Sequence, residues 1–322
     1  MSTTRSTSDS GAYTVIGGET LDRGTKGRPG LSIVLLNRDA RPFRNDLFDE
    51  LCKIGARDIL SIESTPPPGD IETLTRRHPE LRFLLFASPS NPGARIDAAM
   101  QEALSDHVFV LQSDMGLKAA SISSRVFAKI AERDRICTVP VFRDVDDEVL
   151  PTAVGPLFGP NGRFDVQPIL PPRGEAPTLF PWDYAGIYKR DRHLSVGGFD
   201  ARIAEPWWQK MEYGLRCWLW GEEIRVHPAL RVDYQGEMPP EDSSLGPGYR
   251  RFFLKTLAVI RRRDAGRLPR SRWKAYRRGS GESAGRTRDA FRDIRSWVDT
   301  HRYRYVRDAA ELTELWDWNG DS

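Results

Sequence analysis

The stretch HVFVLQSDMGLK, residues 107–118, decides how the chain is read. Val108, Phe109, Val110 and Leu111 form an apolar run of strand length, and an acid, Asp114, follows at once. A continuous apolar run suits a strand covered on both faces, as in a parallel sheet. Ligands of open α/β sheets bind beyond the carboxyl ends of the strands, where Asp114 would stand. Hard divalent cations take oxygen ligands and share them with phosphates, so Asp114 is a candidate ligand for Mg2+ or Mn2+. Gln112 occupies the place where a second acid would complete such a site.

Working outward, LSIVLLN (31–37), DILSIES (58–64), LRFLLFA (81–87) and RICTVPVF (135–142) read as further strands. Helices fall between them. FRNDLFDELCKIG (43–55) puts Phe43, Leu47, Leu51 and Ile54 on one face and stops at Gly55. IETLTRRHPE follows the loop-forming PPPGD (66–70). NPGARIDAAMQEALSD (91–106) repeats Ile96, Met100 and Leu104 at helical spacing, and another helix falls near 121–132. This alternation predicts an α/β fold: a mostly parallel sheet with helices on both faces. Asn37, Glu63 and Asp114 then share one rim.

Residues 143–182, rich in Pro, Gly and Asp, read as loops. Order returns at 184–203 and at 206–228, where Leu215, Trp218 and Leu219 face inward and Gly221 stops the helix. RRFFLKTLAVIRRR (250–263) reads as one basic amphipathic helix and GSGESAG (279–285) as a linker. A last helical section carries Phe291, Ile294, Trp297 and Val298. The expected organisation is a disordered tail over 1–29, a main domain over 30–245, and a basic helical C-terminal extension over 246–322.

The chain has 322 residues, 39% hydrophobic and 29% charged, a globular composition with ample material for a core. A net charge of +3 points to no global partner, but residues 250–278 carry twelve Lys/Arg against one acid, Asp264. That run has three readings: a solvated face, contact with an anionic membrane surface, or nucleic-acid binding through Trp273 and Tyr276. The last ranks lowest because no RNA-binding motif accompanies it. Cys52, Cys137 and Cys217 are too scattered for a disulfide framework or a zinc site, which suits a reducing compartment. With no signal-peptide h-region and no apolar span, the expected location is cytoplasmic, at most peripheral at the inner face of the membrane.

Several chemistries lack their signatures. No G-x-G-x-x-G follows the first strand, and neither G-x-x-x-x-G-K-[ST] nor H-E-x-x-H occurs. GESAG (281–285) fits G-x-S-x-G around Ser283, but basic residues precede it where a hydrolase needs a buried strand.

Three segments, in order, resemble family 2 glycosyltransferases with the GT-A fold, a Rossmann-like α/β architecture. They are LSIVLLN, NPGARIDAAMQEALSDHVFVLQSDMGL and YAGIYKRDRHLSVGGFDARI…WWQKMEYGLRCWLWGEEIRV. The resemblance covers residues 31–235. It places Asn37 and Glu63 in the pocket for base and ribose, and Arg95 near uracil and phosphates. Asp97 takes the place of the second Asn of the N-x-G-x-x-x-N helix. Gln112, Ser113 and Asp114 match the metal motif, with Asp114 as the metal ligand. Gly197, Gly198, Phe199 and Asp200 match the turn beneath the donor sugar, and Glu212 and Arg216 match a later acid and Arg.

The departures lie in the chemistry. Gln112 replaces a metal-motif acid, and Gln209–Lys210 stands where the family has the acid pair that often holds the base. The late His has no clear match; Tyr234 and Gln235 stand near its place. Sugar transfer needs a base for the acceptor hydroxyl. Glu212 is the expected base, with an i,i+4 salt bridge to Arg216 as the alternative. Asp183 is expected to contact donor or acceptor. Trp207 and Trp208 are candidate acceptor platforms, with core packing as the alternative.

The resemblance implies transfer from a UDP- or GDP-sugar, with Mn2+ or Mg2+, to a glycan, lipid-linked or protein acceptor; a role in surface-polysaccharide synthesis would fit. The rival is a non-catalytic descendant that binds a nucleotide sugar or a partner. A nucleotidyltransferase would need a Gly-rich loop that NRDARPF lacks.

Overall fold

The apolar runs become neighbouring strands. A computed structural model describes residues 4–8, 11–18, 30–38, 45–65, 71–158, 164–280 and 284–316. Its strands begin with β1 (Thr4–Ser8), β2 (Gly11–Ile16), β3 (Leu31–Leu36), β4 (Ile59–Ser64), β5 (Leu81–Phe86) and β6 (His107–Gln112). They continue with β7 (Met115–Gly116), β8 (Cys137–Arg143), β9 (Ala153–Phe158), β10 (Phe164–Ile169), β11 (Ala176–Pro177), β12 (Gly186–Lys189) and β13 (Ile224–Tyr234). A hairpin of β14 (Ile260–Arg262) and β15 (Ala265–Arg267) comes last. The helices are α1 (Asn45–Lys53), α2 (Ile71–Arg77), α3 (Pro92–Glu102), α4 (Ser124–Glu132) and α5 (Arg190–Ser195). After them come α6 (Pro206–Leu219), α7 (Pro247–Lys255), α8 (Arg272–Ser280), α9 (Ala284–Thr300) and α10 (Ala309–Glu314).

Eleven strands form one sheet in the order β1-β2-β5-β4-β3-β6-β12-β8-β13-β11, with β7 paired to β13. The centre, β5-β4-β3-β6, is parallel. β12 runs antiparallel between β6 and β8, and β13 runs parallel to β8. Every residue of β3, LSIVLL, is buried, because both faces of the sheet are covered. Burying each such aliphatic side chain contributes about 1.5–3 kcal/mol. Register fixes the rim. Leu36 lies opposite Ile62 of β4 and Gln112 of β6, so Asn37, Glu63 and Ser113 emerge side by side.

Four expectations are corrected. Within the supposed tail, Thr4–Ser8 and Gly11–Ile16 are strands, and β2 pairs with β5 with Tyr13 and Val15 buried. Residues 143–182 are not all loop: β9 and β10 pair antiparallel from Ala153↔Ile169 to Phe158↔Phe164. The helix expected over 250–263 ends at Lys255, where Thr256 turns its hydroxyl onto the Phe252 carbonyl at 2.7 Å. The β-branched Val259 and Ile260 then lead into the hairpin, which turns through Arg263 at φ +54°. Of the expected linker 279–285, Ser280 closes α8 and Ala284 opens α9, while 281–283, with Ser283, lie outside the described residues. PPPGD (66–70) and Phe43 lie outside them as well.

Candidate active site

The carboxyl ends of β3, β4 and β6 carry a polar cluster. Asn37 Nδ2 donates to Glu63 Oε2 at 2.7 Å, and Ser61 donates to Glu63 Oε1 at 2.8 Å. Ser113 Oγ donates to Asn37 Oδ1 at 3.3 Å and accepts from the Arg38 amide at 3.2 Å. Burial pushes the Glu63 carboxyl above its ordinary pKa, against Asn37, Ser61 and the charge of Arg95. Burial likewise lowers the Arg95 guanidinium, and Glu63 offsets part of this. Beside the cluster opens a cavity of about 420 Å³, lined by Asn37, Arg38, Arg95, Gln112 and Asp183 on one side. Trp182, Tyr184, Trp207, Lys210, Tyr234 and Glu241 line the rest.

At the floor of this cavity Arg38 binds two carboxylates at once. Its Nε lies 3.3 Å from Asp114 Oδ2, and its Nη2 pairs closely with Asp183 Oδ2. Tyr234 donates its hydroxyl to the same Asp183 oxygen at 3.0 Å. Gln112 Nε2 donates to the Asp183 carbonyl at 3.2 Å and to its Oδ1 at 3.4 Å. Burial opposes charge on Arg38, but Asp183 and Asp114 outweigh it and hold its pKa above the ordinary value. Burial raises the Asp183 carboxyl, against the charges of Arg38 and Lys210. The backbone here is strained. Asp183 has φ +50° and Tyr184 φ +62°, neither being glycine. Such residues cost about 1–3 kcal/mol each and cluster at functional sites.

Gln209 and Lys210 are both buried. Gln209 Oε1 accepts from the Gly93 amide and the Tyr184 hydroxyl, each at 2.9 Å. Its Nε2 donates to Asn91 Oδ1 at 2.9 Å and to the carbonyls of Asp200 and Ile203 at 3.1 and 3.2 Å. The approach is close enough that a Cβ on Gly93 would meet the Gln209 side chain at 2.6 Å. Lys210 pairs with Glu241 and faces the rings of Tyr184, Trp182 and Phe180 at 5.3, 5.9 and 6.0 Å. The place of the expected acid pair thus holds an amide hub and a cation.

No known protein-family model matches the sequence, and no curated protein matches it at the sequence level. Solved structures do match. GalNAc-T7, crystallised with UDP, GalNAc and Mn2+, matches with a TM-score of 0.52 at 13% identity, over 86% of this chain and 58% of that one. TarS 1–349 of S. aureus, in complex with UDP-GlcNAc, matches with a TM-score of 0.50 at 12% identity, over 82% of this chain and 71% of that one. The chain has a GT-A fold. It spans 58% of the length of the GalNAc-T7 chain it matches.

Within this GT-A fold several expected site residues lie elsewhere. Glu212 is fully buried, held by Arg216 at 2.8 and 3.0 Å and by Lys255 at 2.6 Å, and does not line the cavity. It cannot reach an acceptor hydroxyl, so the salt bridge is its role. Arg216 also donates to the carbonyls of Val196 at 2.5 Å and Gly198 at 2.6 Å, so it anchors the turn, and it lies outside the first cavity. Asp97 accepts from the Phe199 amide at 3.0 Å and pairs with His193 at 2.8 Å. It seats Gly198, whose φ is +61° and whose added Cβ would meet the Asp97 carboxylate at 2.5 Å. Gly197 and Gly198 line a second cavity, of about 760 Å³, together with Asp97, Asp200 and Arg216. Trp208 donates to the Ser244 carbonyl at 2.8 Å and stacks on Phe252, so it packs α6 against α7. Trp207 does face the first cavity, edge-on to Phe180 and Trp182.

Arg38 and Glu241, like Trp182 and Tyr184, line the cavity without having been singled out in the sequence. Arg38 directly follows Asn37, and that adjacency to a strand end was its one signal. Glu241 sits in a Pro-rich segment with no periodicity to mark it.

The expected divalent cation at Asp114 does not fit these residues. Among the described residues no group of three or more His, Cys, Asp or Glu could hold a metal ion. Asp114 and Asp183 already share one guanidinium, and Gln112 and Tyr234 turn donors, not lone pairs, toward Asp183.

Proposed function

We propose that the chain binds a nucleoside-diphosphate sugar at the rim of β3, β4 and β6 and transfers the sugar to a hydroxyl-bearing acceptor. The observation that carries this reading is the convergence, in a GT-A fold, of Asn37, Arg95 and Arg38 on one cavity, with Glu63 buried behind Asn37 and accepting from it. Asn37, Glu63 and Ser113 offer donors and acceptors suited to a base and ribose. Arg38, Arg95 and Lys210 offer cationic donors suited to a diphosphate. UDP in the GalNAc-T7 structure and UDP-GlcNAc in a TarS complex support a uridine donor. Trp182 and Trp207 give the cavity an aromatic wall on which a glycan acceptor can stack. In the transfer, the acceptor oxygen bonds to the anomeric carbon and the bond to the β-phosphate oxygen breaks. The electron pair leaves with the nucleoside diphosphate, and Glu241, held by Lys210, takes the acceptor proton.

A second reading, a binding module without turnover, draws support from Gln209–Lys210 in place of the acid pair. One experiment separates the two. The purified chain is titrated calorimetrically with UDP- and GDP-sugars, and released nucleoside diphosphate is then assayed with glycan and lipid-linked acceptors. Binding with acceptor-dependent release supports transfer. Binding without release supports the module, and no binding refutes both.

A further inference from the structure

We infer that the guanidinium of Arg38 supplies, from within the chain, the positive charge that a divalent cation would bring to the diphosphate, so that donor binding needs no metal. This rests on the donor reading given above.

The argument starts from charge. Asp114 and Asp183 face one spot at the ends of β6 and of the turn before β12. Two carboxylates so close repel unless a cation stands between them. Arg38 is that cation: Nε serves Asp114 at 3.3 Å and Nη2 serves Asp183. A metal entering here would have to expel the guanidinium or accept its charge as a neighbour, and either costs the two ion pairs already made. The rest of the surroundings agree. Gln112 is neutral and presents its amide N–H, and Tyr234 presents its O–H, both to Asp183. These donors hold Asp183 in place, which in turn holds Arg38 at the cavity wall. A guanidinium has five N–H donors in a planar fork. One donates here to Asp183 while Nε only neighbours Asp114, and Arg38 lines the cavity, so further donors can meet phosphoryl oxygens. Asp114, expected to be a metal ligand, thereby becomes a positioning residue that aims Arg38.

The test compares UDP, GDP and their sugars on the full chain by calorimetric titration, once with EDTA and once with Mn2+. The expected result is a dissociation constant that differs by less than about threefold between the two buffers, well under one tenfold step of 1.4 kcal/mol. Arg38→Ala should weaken binding in EDTA by about 10–100-fold. It also leaves Asp114 and Asp183 without their cation, so Mn2+ should now restore part of the loss. Arg38→Lys should retain part of the EDTA binding. Titration of Mn2+ alone, followed by electron paramagnetic resonance, should show no uptake by the wild-type chain and uptake by Arg38→Ala. A wild-type chain whose binding falls more than about tenfold in EDTA and returns with Mn2+ overturns the inference while leaving the donor reading intact. Unchanged binding by Arg38→Ala overturns it too. No nucleotide binding in either buffer overturns the donor reading and this inference together. The wild-type comparison decides the matter even if the variants fail to fold.

Discussion

At the scale of single residues, the cavity shows how a polar group's partners fix its role. Asp183 and Glu241 both line the cavity, yet Asp183 already receives Arg38, Tyr234 and Gln112. A carboxylate so engaged orients others. Glu241, paired with Lys210, lines the cavity with Glu205 and Asp242, and it is the acid to which the proposed transfer gives the proton. Glu241→Gln keeps the shape and removes the basic oxygen. It should lower turnover by about 100–10,000-fold while leaving the donor dissociation constant within about threefold. Released nucleoside diphosphate and calorimetric titration measure the two quantities separately. Equal turnover in the variant would remove Glu241 from the reaction. Gln209 shows the same logic in reverse. An acid there would set oxygens against Asn91 Oδ1 and two carbonyls that now receive an N–H, so an amide is the side chain this spot accepts.

At the scale of elements, α6 and α7 are joined by buried charge. Asp200, after the glycine turn, pairs with Arg251 at 2.6 Å and Lys255 at 2.8 Å, and Lys255 also reaches Glu212 at 2.6 Å. Burial opposes ionisation of Asp200 and Glu212. The cations outweigh it, Lys255 and Arg251 at Asp200 and Arg216 and Lys255 at Glu212, and hold both carboxyls below their ordinary values. A carboxyl with a depressed folded pKa contributes stability that is present above its unfolded value, near pH 4, and lost as pH falls below it. Asp200→Asn should therefore destabilise the fold by about 3–5 kcal/mol at pH 7, because it breaks the ion pairs to both Arg251 and Lys255 and leaves Lys255 only Glu212. The gap from wild type should narrow as pH drops from about 4 to about 2. Urea unfolding at a series of pH values checks both. A gap constant with pH would mean that Asp200 is not ionised in the fold. These pairs also explain what the sequence could and could not reveal. The strand ends were legible because buried parallel strands leave long apolar runs, so Asn37, Glu63 and Asp114 could be placed on one rim. For Glu212 and Arg216 the sequence left two readings open, because i,i+4 spacing looks the same whether a pair faces a substrate or a core. Only the partner from α7, Lys255, separates the two, and it lies far along the chain. The β9–β10 hairpin was missed because Pro156 and Pro168 mask its strands; both sit in a two-stranded sheet with no inner neighbour to need their amides.

At the scale of the whole molecule, the basic run turns out to be partly structural. Lys255 is buried against Trp297, with its ammonium 4.1 Å from the ring centroid, and Arg251 pairs with Asp200. Arg262, Arg263, Arg267, Arg270, Arg272, Lys274 and Arg277 remain exposed. The C-terminal elements close over the sheet domain at several points. Trp220 at the end of α6 stacks on Trp297 and His301 of the α9 region. Trp218 meets Trp316, and Tyr305, buried, donates to the Lys255 carbonyl at 2.9 Å. No helix among the described residues is long and apolar enough to cross a membrane. If these contacts make one cooperative unit, removing residues 246–322 does more than shorten the chain. It strips Asp200 and Glu212 of Lys255 and exposes the rings of Trp208, Trp218 and Trp220 to water. Losing the buried cation alone costs about 3–5 kcal/mol, a large share of the 5–15 kcal/mol that holds a typical domain together. The full chain should therefore unfold in a single calorimetric transition whose van't Hoff and calorimetric enthalpies agree. The chain ending at residue 245 should melt far lower or be recovered only as aggregate. Two resolved transitions, with the shortened chain melting at the temperature of the first, would show instead that the sheet domain stands alone and that the buried charge between α6 and α7 contributes little to it.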